Sequence, residues 1–221
     1  MPSAPSGALF RGRFCAMYKH VFKNIANLTI LLRVLLVFVV VALLGGSASQ
    51  RLLSLPLLLV ALLLDGLDGY LARKLRIASA IGGLLDTLGD RITENVLIFY
   101  FAFVHIVPLW FALFFLVRSF LADFIRGLNF NKGFTTFAIN RSVLGKILVS
   151  SEPSRIVYLL SKFSLFILGG FIIAHGAHAA SLRTAIQCLY RFVFIFSFAR
   201  FILLMQDSKV ILKEHFHAGN D

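Results

Sequence analysis

Apolar residues dominate this chain in long runs, and short polar stretches separate the runs at regular intervals. A helix rising about 1.5 Å per residue needs about 20 apolar residues to cross a hydrocarbon core about 30 Å thick. Runs of that order lie at 27–46, 52–73, 82–106, 108–126, 155–175 and 183–205. They predict an all-α polytopic membrane protein with six transmembrane helices, because helices satisfy their own backbone groups in lipid. The first run precedes the small residues Gly45-Gly46-Ser47-Ala48-Ser49, as a cleaved signal would, but it is about twice as long as a signal's apolar core. An uncleaved span is expected there.

Before the first run, residues 1–9 are rich in Pro, Ser, Gly and Ala and read as disordered. Over 10–24, Arg11, Arg13, Lys19 and Lys23 alternate with Phe10, Phe14, Met17, Val21 and Phe22, which predicts an amphipathic helix lying in the membrane interface. The expected organisation is a tail and interfacial helix over 1–26, a membrane domain over 27–206 and a polar tail over 207–221. The long connection, 128–153, carries Lys132, Arg141 and Lys146 and is a candidate substrate loop. No internal repeat is evident, which argues against a transporter built from inverted repeats.

Composition narrows the class. The chain is 59% hydrophobic and 14% charged, which fits a membrane protein and no soluble fold. The formal charge of +12 then points to anionic lipid and phosphorylated substrate, not to nucleic acid. One side of the membrane collects Arg11, Arg13, Lys19, Lys23, Arg73, Lys74, Arg76, Arg126, Lys132, Arg141, Lys146, Lys209 and Lys213, while the other has Arg51 and Arg183. By the positive-inside rule both termini are expected in the cytoplasm. Cys15 and Cys188 have neither a CxxC partner nor a neighbouring His and read as free thiols.

Four carboxylates break the apolar pattern at one place: Asp65, Asp68, Asp86 and Asp90. Each costs about 2.5–3.5 kcal/mol at bilayer depth even on the lenient insertion scale. Asp65 and Asp68 are i, i+3 and Asp86 and Asp90 are i, i+4, so each pair shares a helix face. A turn through Arg73-Lys74-Leu75-Arg76 and the small residues after it would bring the pairs together, about one to two helical turns inside the cytoplasmic face. Oxygen donors without His or Cys suit Mg²⁺, Mn²⁺ or Ca²⁺. Two such ions are common machinery for displacement at phosphorus. A membrane prenyltransferase would need a second, separate Asp-rich motif, and a cation carrier would use the carboxylates without any transfer.

The string Asp65-x-x-Asp68-Gly69-x-x-Ala72-Arg73, then Gly82, Asp86 and Asp90, resembles the signature of the CDP-alcohol phosphotransferase family at all eight fixed positions. Asn27-Leu28-Thr29 with Arg33 is similar to the family's motif at the start of its first helix. The resemblance implies a six-helix bundle that transfers the phosphatidyl group of CDP-diacylglycerol to an alcohol and releases CMP, as a homodimer among membrane lipids. By the same resemblance Asp65, Asp68, Asp86 and Asp90 would hold two Mg²⁺ or Mn²⁺ ions, with Asp90 also the base on the acceptor hydroxyl. Gly69, Ala72 and Gly82 would leave room for cytidine, and Arg73 would meet a phosphate.

The acceptor is read from the remaining cations. Arg118, Arg126, Lys146, Arg155 and Arg200 lie in or beside the cytoplasmic half of the spans, as a phosphate pocket would require. Gly145-Lys146 is similar to a pair in phosphatidylglycerophosphate synthases, whereas Asp90-Arg91-Ile92-x-Glu94 and Ser154-Arg155 are similar to phosphatidylinositol phosphate synthases. The expected acceptor is a small phosphorylated polyol, glycerol 3-phosphate or an inositol phosphate. Free inositol, serine and phosphatidylglycerol stay open. Arg91 and Glu94 are expected to pair along one helix, and His175 and His178 to mark an interfacial loop and not a metal site. Gly169-Gly170 predicts a close helix contact, within or between subunits, and the Phe-rich run 192–201 a packing or lipid-facing surface.

Overall fold

The computed structural model describes residues 28–74, 80–130, 145–176 and 180–217. The side chains of Asp65, Asp68, Gly69, Ala72, Arg73 and Arg126 lie outside this description, as do the interfacial helix expected over 10–24, Cys15 and His178. Among the described residues there are six α-helices and no strand: α1 (Leu28–Leu44), α2 (Ala48–Lys74), α3 (Ala80–Phe103), α4 (Leu109–Phe130), α5 (Glu152–His175) and α6 (Ala180–His217). A single π-helical turn, Lys146–Ser150, precedes α5. Two segments are long and apolar enough to cross a membrane, Glu152–His175 and Ala180–Gln206, while α1 and the apolar part of α2, Ala48–Leu64, are shorter.

Several boundaries depart from the expected ones, each for a local reason. α3 stops at Phe103 and not at 106, because the amides of Ile106 and Val107 fold back onto the Phe101 carbonyl and His105 takes a left-handed φ of 59°. The expected connection over 128–153 is shorter at both ends, with α4 running to Phe130 and the π turn and α5 beginning before 153; residues 131–144 lie outside the description. α6 continues past Met205 to His217. Polarity ends an apolar run, but only Gly, Pro or lost packing ends a helix, and neither residue occurs between 205 and 217.

The chain divides into two compact units at Leu97 and Ile98, inside α3. In the first unit, α1 buries Ile30, Arg33, Val37, Val40 and Leu44, a stripe spaced three and four residues apart. Leu28, Leu31, Leu32, Leu35 and Phe38 on its other faces are exposed. α1 is apolar all round, so the inner stripe is distinguished by Arg33 and not by hydrophobicity.

The second unit repeats the pattern. α4 buries Phe111, Phe115, Arg118, Ala122 and Ile125, and α6 buries Ile186, Tyr190, Val193, Ser197, Arg200 and Leu204. α6 packs on both α4 and α5, and the π turn on α5 and α6. The Phe-rich run is an interlocking ladder: Phe194 meets Trp110 and Phe114 edge-on at 4.9 and 4.8 Å, while Phe192 and Phe198 face outward. α5 ends at Gly176, whose φ of 56° suits a residue without Cβ, and His175 stacks on Phe171 at 4.1 Å. Cys188 is an exposed free thiol.

The close contact expected at Gly169 lies within the chain. A Cβ there would come within 2.5 Å of Phe101 Cε2, and the Phe101 ring is fully buried against Phe166. Gly169→Val is therefore expected to destabilise the protein by about 1–3 kcal/mol through overpacking. Thermal unfolding in detergent measures this, and Phe101→Leu in the same chain should recover part of the loss. An unchanged midpoint in the single variant would remove this account of the contact.

Candidate functional site

The acidic end of α3 is held by α1. Asp86 and Asp90 stand one turn apart on one face of α3, and the fully buried Arg33 places its Nη2 2.8 Å from Asp90 Oδ1 and 3.8 Å from Asp86 Oδ1. The carboxylates are 40% and 44% exposed, so the guanidinium orients them from the protein side and leaves them accessible. This approach depends on Gly89. A Cβ at that position would lie 2.7 Å from Arg33 Nη2 and 2.8 Å from Ile30 Cγ2. Further along α3, Arg91 Nη1 reaches Glu94 Oε2 at 3.4 Å, the expected pair along the helix. Thr87 and Asn95 donate to the carbonyls of Gly83 and Arg91 one turn back.

Asp65, Asp68, Gly69, Ala72 and Arg73 belong to the last turns of α2, and their side chains lie outside the description. Gly82 is half-buried in the first turn of α3, and beside it a Cβ on Gly83 would meet nothing within 4 Å. Among the described residues no group of three or more His, Cys, Asp or Glu could hold a metal. Asp86 and Asp90 do form an accessible all-oxygen pair, the donor type that suits a hard divalent cation.

In the second unit the candidate cations separate into two kinds. Arg118 and Arg200 are buried and share one aromatic ring, with guanidinium carbons 5.5 and 5.1 Å from the centre of Tyr158. Arg200 also donates from Nη1 to the Leu148 carbonyl at 2.8 Å and Ser154 Oγ at 3.0 Å, and from Nη2 to the Val149 carbonyl at 3.3 Å. It thereby ties the π turn to α6. Lys146 begins that turn and is exposed, and Arg155 is exposed with Glu152 3.9 Å away, a surface pair that contributes little. The ring cluster also includes Lys162 and Ser197, both overlooked in the sequence. Their signal was the spacing: Tyr158 and Lys162 are i, i+4, and Ser197 and Arg200 are i, i+3.

A cavity of about 710 Å³ in the second unit opens among Phe99, Phe103, His105, Val107, Gln187 and Tyr190. Its lining includes no carboxylate, Lys or Arg, so the chemistry above is not drawn from it. Arg33 and Gly89 are the positions beside the carboxylates that the sequence left unconnected to them. Arg33 was visible as the single charge in the first apolar run, but its partner lies 57 residues away.

A sequence model of the CDP-alcohol phosphatidyltransferase family matches residues 23–187. The match takes in α1 to α5 and the first turns of α6, including Arg33 and all four aspartates, and stops before Ser197 and Arg200.

Removing one partner of a wholly buried ion pair costs about 3–5 kcal/mol. Because Asp86 and Asp90 are half-exposed, Arg33→Met should cost less, about 2 kcal/mol. Gly89→Ala should displace the same guanidinium, so its loss and that of Arg33→Met should fall short of additive in the double variant. Denaturant unfolding in detergent measures all three. Strict additivity would mean that Gly89 acts elsewhere.

Proposed function

The chain belongs to the CDP-alcohol phosphatidyltransferase family, and from that premise we propose that it transfers the phosphatidyl group of CDP-diacylglycerol to a small phosphorylated polyol, glycerol 3-phosphate or an inositol phosphate. Members of the family are transferases of substituted phosphate groups that serve phospholipid synthesis, and they generally use a divalent metal. The observation that carries the reading is the Arg33-oriented pair of Asp86 and Asp90, reachable from solvent and in register with the aspartates of α2 in the sequence.

In this reading Asp65, Asp68, Asp86 and Asp90 would hold Mg²⁺ or Mn²⁺, two ions in number, which when bound supply neutralising charge for the diphosphate. Asp90 takes the proton from the acceptor hydroxyl as its oxygen attacks the phosphatidyl phosphorus. The bond from that phosphorus to the bridging oxygen breaks, and CMP leaves with the bridging oxygen. Gly69, Ala72 and Gly82 leave room for the cytidine, and Arg73 binds a phosphate of the donor. The acceptor's own phosphate is met by cations from Arg118, Lys146, Arg155 and Arg200. Support for a charged acceptor comes from Arg118 and Arg200, which are buried. The same reading makes α1 to α4 membrane spans beside α5 and α6, with the site and both termini on the cytoplasmic side.

Purified protein in detergent with CDP-diacylglycerol and Mg²⁺ should release CMP with glycerol 3-phosphate or inositol 1-phosphate, much less with glycerol, inositol or serine, and not at all with EDTA. Asp90→Asn should still bind the CDP-lipid while turnover falls about 10²–10⁴-fold. Asp68→Ala should lose metal-dependent nucleotide binding as well. Full activity in either variant would remove the assigned roles, and equal rates with serine or inositol would remove the phosphorylated acceptor.

A further inference from the structure

Three cations of the second unit surround one ring. Lys162 Nζ lies 4.8 Å from the centre of Tyr158, Arg200 Cζ 5.1 Å and Arg118 Cζ 5.5 Å. The three are not equivalent. Arg200 directs both Nη groups to the backbone and hydroxyl of the π turn and its neighbour. Arg118 is 8% exposed, lies against Phe115 and Tyr158, and its Nε has no hydrogen-bond partner among the described residues.

A guanidinium buried to that extent with an unanswered donor marks a place where an anion completes the structure. Its planar fork matches phosphate, provided the plane is held at a fixed tilt. Tyr158 supplies that tilt. The ring is itself buried and stacks on Phe196 at 5.9 Å, which fixes it against α6, while its hydroxyl lies 3.2 Å from Ser197 Oγ.

We infer that Tyr158 is a positioning residue for the acceptor: its ring sets Arg118 and Lys162 about one point with Arg200, and so gives the chain its preference for an acceptor bearing a phosphate. The inference rests on the acceptor reading above and adds Tyr158 and Lys162 to it. No bond from Tyr158 to the substrate is required. The ring acts through the cations, so its electron density and not its volume is the relevant quantity.

That distinction can be measured in the full-length protein by replacing Tyr158 with phenylalanine and with phenylalanines carrying one, two or three ring fluorines, which weaken the ring's negative face at nearly constant volume. Steady-state CMP release is followed while glycerol 3-phosphate or inositol 1-phosphate and the CDP-lipid are varied in turn. Tyr158→Phe should leave the acceptor KM within about twofold of the parent, and the trifluoro ring should raise it about tenfold in graded steps. The KM for the CDP-lipid and kcat should not move. A flat series in a protein that does require a phosphorylated acceptor would overturn the positioning role and leave the acceptor reading standing. A parent protein that works equally well with glycerol or inositol would overturn the acceptor reading and this inference together.

Discussion

Arg33 sits fully buried in a stripe of Ile and Val on α1, and the first unit depends on how that charge is answered. A bare ion taken out of water costs several kcal/mol even after relaxation, so an Arg in this position needs a carboxylate within reach. Asp90 and Asp86 supply it across the contact between α1 and α3, and Gly89 lets the two helices close far enough for the bond to form. One interaction thus fixes helix packing and the orientation of the two carboxylates. The carboxylates keep about two-fifths of their surface open on the side away from Arg33.

The second unit meets the same constraint by different means. Arg118 and Arg200 also occupy inner stripes, but there the groups around them are the Tyr158 and Phe rings and, for Arg200, the carbonyls of a π turn. Rings and carbonyls orient a cation without cancelling it. A carboxylate would neutralise it and remove its attraction for a phosphate. For an enzyme of this family, whose CDP-alcohol donor is anionic, a cation held between rings, as Arg118 is, keeps its attraction for a phosphate, and the identity of the groups around it matters as much as the cation itself.

Much of the fold was legible because the signals are large. Apolar runs of about 20 residues predict helices with little competition, and the six helices among the described residues follow the six runs in order. Helix ends were less legible. Hydropathy reports where a helix leaves an apolar environment, and α6 shows that the helix itself continues through Gln206-Asp207-Ser208-Lys209, none of which breaks it. The family was legible from eight spaced residues over 65–90, and the family match spans 23–187. Inner and outer faces were hidden, because a helix that is apolar all round has almost no amphipathic signal. Among the described residues it is the buried polar ones, Arg33, Arg118, Ser197 and Arg200 among them, that distinguish the inside.

By itself, then, the sequence determined the helical class, the order of the elements and the positions of the four aspartates, since each depends on local composition or on spacing within a few turns. It did not determine which charge answers which. Arg33 and Asp90 are 57 residues apart, and Tyr158 and Ser197 are 39 apart. The pair expected along one helix, Arg91 with Glu94, is present, because spacing of three residues is enough to set it. Only the packing of α1 on α3, and of α4 and α5 on α6, brings the distant groups within hydrogen-bond or ring-contact range. In a low-dielectric interior it is those short distances, not the presence of the residues, that decide what each charge can do.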